Sequence, residues 1–263
     1  MREIHRVIFH IYFMCFNPQT SLNAFFISCI SSIILVYYSI SDTKNKDKSH
    51  LDLISAVLIL LIGSMQLLEY FMWSDQGCSY KDYNRLASLF VLPVLYSQPV
   101  ITFLLSLYLS YTKFNNYVFI SFSFAIISLF TVVLAQNTQI LIKADQAKKR
   151  EKDVLPLCSR PEKNTKRLIW APMKYLFETH PEQSFLFLFL YFFIIYLCSK
   201  VIPSLWKYFP IRSLVLPTTF IAAAIYSVLY GDRESSIGIL SDIFDSTWCF
   251  LAVGFGIVSV LHI

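Results

Sequence analysis

Residues 51–73 read LDLISAVLILLIGSMQLLEYFMW. The run is largely apolar and long enough to cross a bilayer as a helix, which takes about 20 residues. Toward its end Gln66, Glu69 and Trp73 follow at steps of three and four, which keeps them on one helical face. An ionised carboxylate inside a span costs at least ~2.5–3.5 kcal/mol on insertion scales. Glu69 therefore has to be paired, protonated or turned toward a wet cavity, unless it snorkels to the interface from the helix end. Trp73, an interfacial residue type, favours snorkelling; Gln66 lies a turn deeper and has less reach.

The rest of the chain has the same character. It is 263 residues long, 56% hydrophobic and only 15% charged, against about 25% charged in soluble domains. A soluble core this apolar would leave large exposed patches. Apolar stretches of spanning length fall at about 21–40, 51–73, 86–111, 117–142, 184–206, 213–231 and 241–262. The expected fold is all-α: an integral membrane bundle of about seven transmembrane helices, occupying 21–263 as a single domain. Residues 1–20 form an N-terminal extension or interfacial segment, with His5, Arg6 and His10 toward headgroups. No small-x-small cleavage site follows Arg2 and Arg6, so the first span is expected to insert as an uncleaved anchor.

The last stretch carries a second face. Asp242, Asp245, Cys249, Ala252, Gly256 and Ser259 follow at steps of three and four. Residues off that face, such as Phe244, Phe250, Leu251 and Phe255, suit lipid. The small and polar stripe must look into protein, where small residues let helices pack closely. Asp242 is a natural N-cap and Asp245 an acid of the first turn, where acids complement the helix dipole. Cys249 is by type a small core residue rather than a nucleophile.

Basic residues are concentrated in an extramembrane loop at about 143–183, and ten Lys and Arg fall within 136–183. A solvated loop is the plain reading; contact of 143–174 with anionic lipid headgroups is the functional one. No nucleic-acid module accompanies the charge. We call the side holding the N-terminus near. Seven spans put fifteen Lys and Arg near and seven far, so the positive-inside rule places the N-terminus and the long loop in the cytosol. Without the long loop the count is five against seven, and a re-entrant segment around Leu168–Phe177 would also alter it. A cytosolic near side argues against a Cys78–Cys158 disulfide, which a lumenal one would allow.

Topology gathers the polar signals. Gln66, Glu69 and Trp73 sit toward the near end of the second span, and Asn84 at the near start of the third. Asp242, Asp245, Trp248 and Cys249 lie in the near half of the last. Gln98 falls at mid-membrane, flanked by Pro99 and preceded by Pro93. Each proline frees a backbone carbonyl, and Gln98 can bond it, reach toward Gln66 or Glu69, or act only as interhelical glue. The far half reads as dry. Gln66, Glu69, Gln98, Asp242, Asp245, Trp248 and Cys249 are the candidate lining of a near-leaflet polar pocket. No zinc-type spacing, Gly-rich phosphate loop or GxSxG elbow is present, so no metal or cofactor is expected.

Several motifs carry a resemblance. Met14-Cys15-Phe16-Asn17 resembles the Met-Cys-Phe-Ser-type opening of uncharacterised seven-span membrane proteins of giant viruses, with similar proteins in bacteria. Gln66-x-x-Glu69-x-x-x-Trp73 is similar to that family's Gln-x-x-Glu-x-x-x-Trp signature. Cys78, Asn84 and Gln98-Pro99 resemble its next stations, and Ser246-Thr247-Trp248-Cys249-Phe250 its closing run. Asp245 departs from it by standing where the family often has Gly, and the opening motif sets an expected start at Met14. The resemblance implies a seven-span fold in a host or viral membrane and no activity. Three functions fit. The leading one is a non-enzymatic pocket that binds or passes a small solute, ion or lipid headgroup. The others are a lipid-acting enzyme using Glu69 or Asp245, and a structural membrane protein whose polar residues only lock helices.

Overall fold

The computed structural model describes residues 17–42, 44–78, 83–110, 116–148, 157–161 and 168–201, with 257, 259 and 260. Helix accounts for 89% of these residues. In chain order the elements are α1 (Pro18–Ser41), α2 (Lys46–Ser74), α3 (Tyr83–Ser110), α4 (Tyr117–Lys148), β1 (Arg160–Pro161), β2 (Leu168–Ile169), α5 (Ala171–Thr179) and α6 (Pro181–Val201). Among the described residues five helices are long and apolar enough to cross a membrane: α1, α2, α3, α4 and α6. They correspond to the first five expected spans. Of the expected spans at 213–231 and 241–262 only residues 257, 259 and 260 are described, and the described residues give a mostly helical chain with five candidate spans.

The α1–α2 hairpin is set locally. Asn17 caps α1 by accepting from the Thr20 amide at 2.9 Å, with Pro18 in the first turn, where its missing N–H costs nothing. At the far turn the Asp42 amide donates to the Tyr38 carbonyl (2.9 Å), and the Asp42 carboxylate accepts from the Asn45 amide (3.1 Å). Asn45 in turn caps α2 through the Lys48 amide, 3.2 Å away. Two caps back to back turn the chain within a few residues.

Packing of the hairpin depends on small side chains. The buried face of α1 is Ser21, Ala24, Ser28, Ser31, Ser32, Leu35 and Ser39. A Cβ placed on Gly63 of α2 would stand 2.5 Å from Ser28 Cβ, closer than real side chains approach. In lipid there is little hydrophobic gain from helix association, so close backbone approach supplies the attraction. At the far end Ser39 and Ser49 exchange hydroxyl-to-carbonyl bonds of 2.8 and 2.6 Å.

The other helices pack around this pair. α2 lies against α3, and α3 against α6 and α4. Phe130 of α4 lies between Tyr96 of α3 and Phe187 of α6 in tilted contacts, each ring centroid 4.9 Å from its own. Val118, Phe122, Phe124, Leu129 and Val132 of α4 face outward, as do Ile30, Ile33 and Ile40 of α1. Such apolar exposure suits a lipid-facing surface.

The long segment after α4 is not simply a solvated loop. β1 and β2 pair antiparallel, Arg160 opposite Ile169 and Pro161 opposite Leu168. α5 follows directly; its nine residues are too few to cross a bilayer. Its Pro172, Met173, Leu176 and Phe177 are buried, as is Trp170 just before it. The segment thus returns to the near end of the bundle. Cys78 and Cys158 are disulfide-bonded, tying the α2–α3 connection to this segment. The expected absence of that bond is corrected: it followed from a charge count dominated by the very segment the bond holds down.

Gly63→Leu should drive α1 from α2. We expect a stability loss of about 1–3 kcal/mol, as for overpacked cores, read as a lower melting temperature in detergent, with Gly63→Ala less affected.

Candidate functional site

Glu69 sits on the last turns of α2 and is 1% exposed, which rules out snorkelling. Its Oε1 accepts from the Trp170 indole N–H at 3.1 Å, and its Oε2 from the Ser21 hydroxyl at 3.4 Å. Three distant segments meet at this carboxylate. Ser21 arrives on the first turn of α1, through the small-residue face described above. Trp170 arrives from the N-cap position of α5, in extended backbone. Gln66, one turn deeper on α2, is also wholly buried. Trp73, one turn nearer the membrane surface, has a buried Nε1 without a partner among the described residues.

A polar knot below Trp170 holds it there. Asn84 opens α3 and is fully buried. Its amide nitrogen donates to the carbonyls of Met72 (2.7 Å) and Ser159 (2.8 Å). Its oxygen accepts from the Ser159 amide (3.0 Å) and the Ser88 hydroxyl (3.3 Å). These four bonds use both donors and both lone pairs of the side chain. The Ser159 hydroxyl lies 2.8 Å from that of Ser88 and accepts from the Ala171 amide at 3.1 Å. Ser159 follows the bridged Cys158, and Ala171 follows Trp170, so the knot fixes the approach of the indole to Glu69.

Gln98 belongs to a different cluster. It donates to the Leu61 carbonyl at 3.3 Å and accepts from the Tyr191 hydroxyl at 3.0 Å. It therefore ties α2, α3 and α6 at mid-membrane. Leu61 and Glu69 are eight residues apart on α2, about 12 Å along the axis, which separates the two clusters. The far half is not free of strong polar residues, a correction to the sequence reading: Asp52, on the second turn of α2, is fully buried. A fourth polar contact joins helices near the surface, where Arg85 of α3 pairs with the buried Asp145 of α4.

Asp242, Asp245, Trp248 and Cys249 lie outside the described residues. Of the proposed lining, Gln66 and Glu69 are together and Gln98 is apart. Sequence reasoning missed Ser21, Ser159, Trp170 and Asp52. Ser21 was findable from the serine periodicity of α1. Trp170 stands inside the flagged 168–177 stretch, but nothing in its neighbourhood names a partner 101 residues away. Among the described residues no three His, Cys, Asp or Glu side chains gather as metal ligands. The cluster offers a carboxylate in a water-poor setting, oriented by an indole and a hydroxyl. Such a group can hold a proton, a small cation or a hydrogen-bond donor.

Asn84→Ala would leave the Ser159 amide and carbonyl buried without partners, each costing about 1–3 kcal/mol. We expect a lower melting temperature and, because Trp170 is freed, a red-shifted tryptophan emission in the folded protein. Asn84→Asp should not rescue stability, since a carboxylate oxygen would face the Met72 and Ser159 carbonyls that the amide nitrogen now serves. The chain matches no family model, no curated protein and no solved structure, so its function has to be argued from this geometry.

Proposed function

We propose that the near end of the bundle is a binding site for a small cationic or hydrogen-bond-donating group, a free solute or a lipid headgroup, with Glu69 as its acceptor. In this reading the protein is a non-enzymatic binder or carrier in its membrane. One observation carries it: the residue at the meeting point of α1, α2 and the turn into α5 is an acid. An indole N–H and a hydroxyl could both be served by an amide carbonyl, which avoids most of the cost of placing a carboxylate in a span. An acid adds a charge or an exchangeable proton, and ionisable groups inside spans mark ligand and ion sites more often than structural contacts.

The competing reading is a helix lock. The fully satisfied Asn84 knot favours it, because that cluster fixes geometry without any ligand. Buried charges contribute less to stability than apolar replacements of similar size, which weighs against Glu69 as a lock.

Glu69→Gln keeps shape and accepts the same two bonds; Glu69→Ala removes both. The measurement is thermal unfolding in detergent with and without millimolar choline, ethanolamine, phosphoethanolamine or a monovalent cation series. We expect at least one probe to raise the melting temperature of the natural protein, no effect of that probe on Glu69→Gln, and near-normal basal stability for Glu69→Gln. Equal probe-dependent shifts in Glu69→Gln and the natural protein, with only Glu69→Ala destabilised, would make Glu69 a lock.

A further inference from the structure

We infer that the near face of this protein, with the Glu69 cluster, lies on the oxidising, non-cytosolic side of its membrane. The inference stands apart from what Glu69 binds. Its support is the Cys78–Cys158 bond. Between these cysteines the chain runs through α3 and α4, two spanning helices. Two crossings return the chain to the face it left, so the bond and the topology agree. A disulfide of this kind persists where thiols are not kept reduced: outside the cell, in the secretory lumen, or in a periplasm.

The bond is built into its surroundings. Both cysteines are buried. Cys78 holds a φ of 51°, a left-handed conformation that non-glycine residues seldom adopt. On the other side, Ser159 continues into the Asn84 knot, and Arg160 Nε donates to Cys158 Sγ at 3.2 Å. A reduced pair would leave two buried thiols and a strained Cys78 with nothing to hold it. The bond therefore belongs to the resting fold.

The cytosolic assignment depended on the ten basic residues of 136–183, and the bond sets the opposite orientation against it. It follows that a ligand of the Glu69 cluster arrives from the lumenal or external side. The anionic headgroups expected against 143–174 are features of the cytosolic leaflet, so that contact is lost in this orientation.

The test uses full-length protein made in sealed microsomes, whose outer surface is cytosolic. One reporter cysteine is introduced per variant: Lys44→Cys at the exposed far turn, or Glu182→Cys at the near start of α6, where the side chain is 71% exposed. Each is treated with a membrane-impermeant maleimide before and after detergent, with the unsubstituted protein as background. Lys44→Cys should label in sealed vesicles, and Glu182→Cys only after detergent. Labelling of Glu182→Cys above background in sealed vesicles overturns the inference. In parallel, free thiols are trapped in living cells by acid quenching and alkylation, and peptides are mapped without reduction. Recovery of Cys78 and Cys158 joined to each other is expected; recovery of both as alkylated thiols overturns it. Neither outcome bears on whether Glu69→Gln loses ligand stabilisation, so this inference and the binding reading can fail separately.

Discussion

The near end of this bundle depends on the side chain of Asn84. Its amide makes four hydrogen bonds to the end of α2, the second turn of α3 and the chain at Ser159. Remove it and two backbone groups are stranded where water is scarce, the costliest defect available to a membrane protein. Everything above it follows: Ser159 positions Ala171, Ala171 positions Trp170, and Trp170 meets Glu69. The disulfide brings the segment within reach, and the amide sets its angle.

Two kinds of adhesion hold the helices, and they are separated in space. α1 and α2 join through absence of bulk, with Gly63 opposite Ser28 and serines along the seam. α2, α3 and α6 join through a polar tie at Gln98 and Tyr191. Van der Waals contact at close range gives the first its strength, and avoidance of unpaired polar groups gives the second its specificity. Tilted aromatic contacts at Phe130 pack the interior between α3, α4 and α6.

What could be read from the residues alone follows the range of the interactions. The span at 51–73 and the shared face of Gln66 and Glu69 were legible, because length and periodicity are local properties. Asn84 was visible as a polar boundary residue, but its partners are mostly backbone groups, which any sequence supplies everywhere. Trp170 was hidden, since its contact bridges 101 positions. Asp52 was missed because the expected span begins only one residue before it, whereas α2 starts at Lys46. The Cys78–Cys158 bond was discounted because charge was summed over a segment as if it were free chain. Four of the seven proposed lining residues, Asp242, Asp245, Trp248 and Cys249, fall outside the described residues.

The order in which these parts meet has a consequence for biosynthesis. Ser21 precedes Glu69 by 48 residues, and Trp170 follows it by 101. The capped α1–α2 hairpin is complete in sequence as soon as Ser74 is made. At the ordinary pace of translation, the indole emerges roughly 5–20 s after Glu69. For that interval the acid has its hydroxyl neighbour but not its indole, on a helix already long enough to enter the bilayer. A nascent chain of this kind needs a protected environment at the insertion machinery until the segment carrying Trp170 has been delivered. Truncation anywhere between α3 and Trp170 should therefore yield a chain that inserts but is recognised as unfinished.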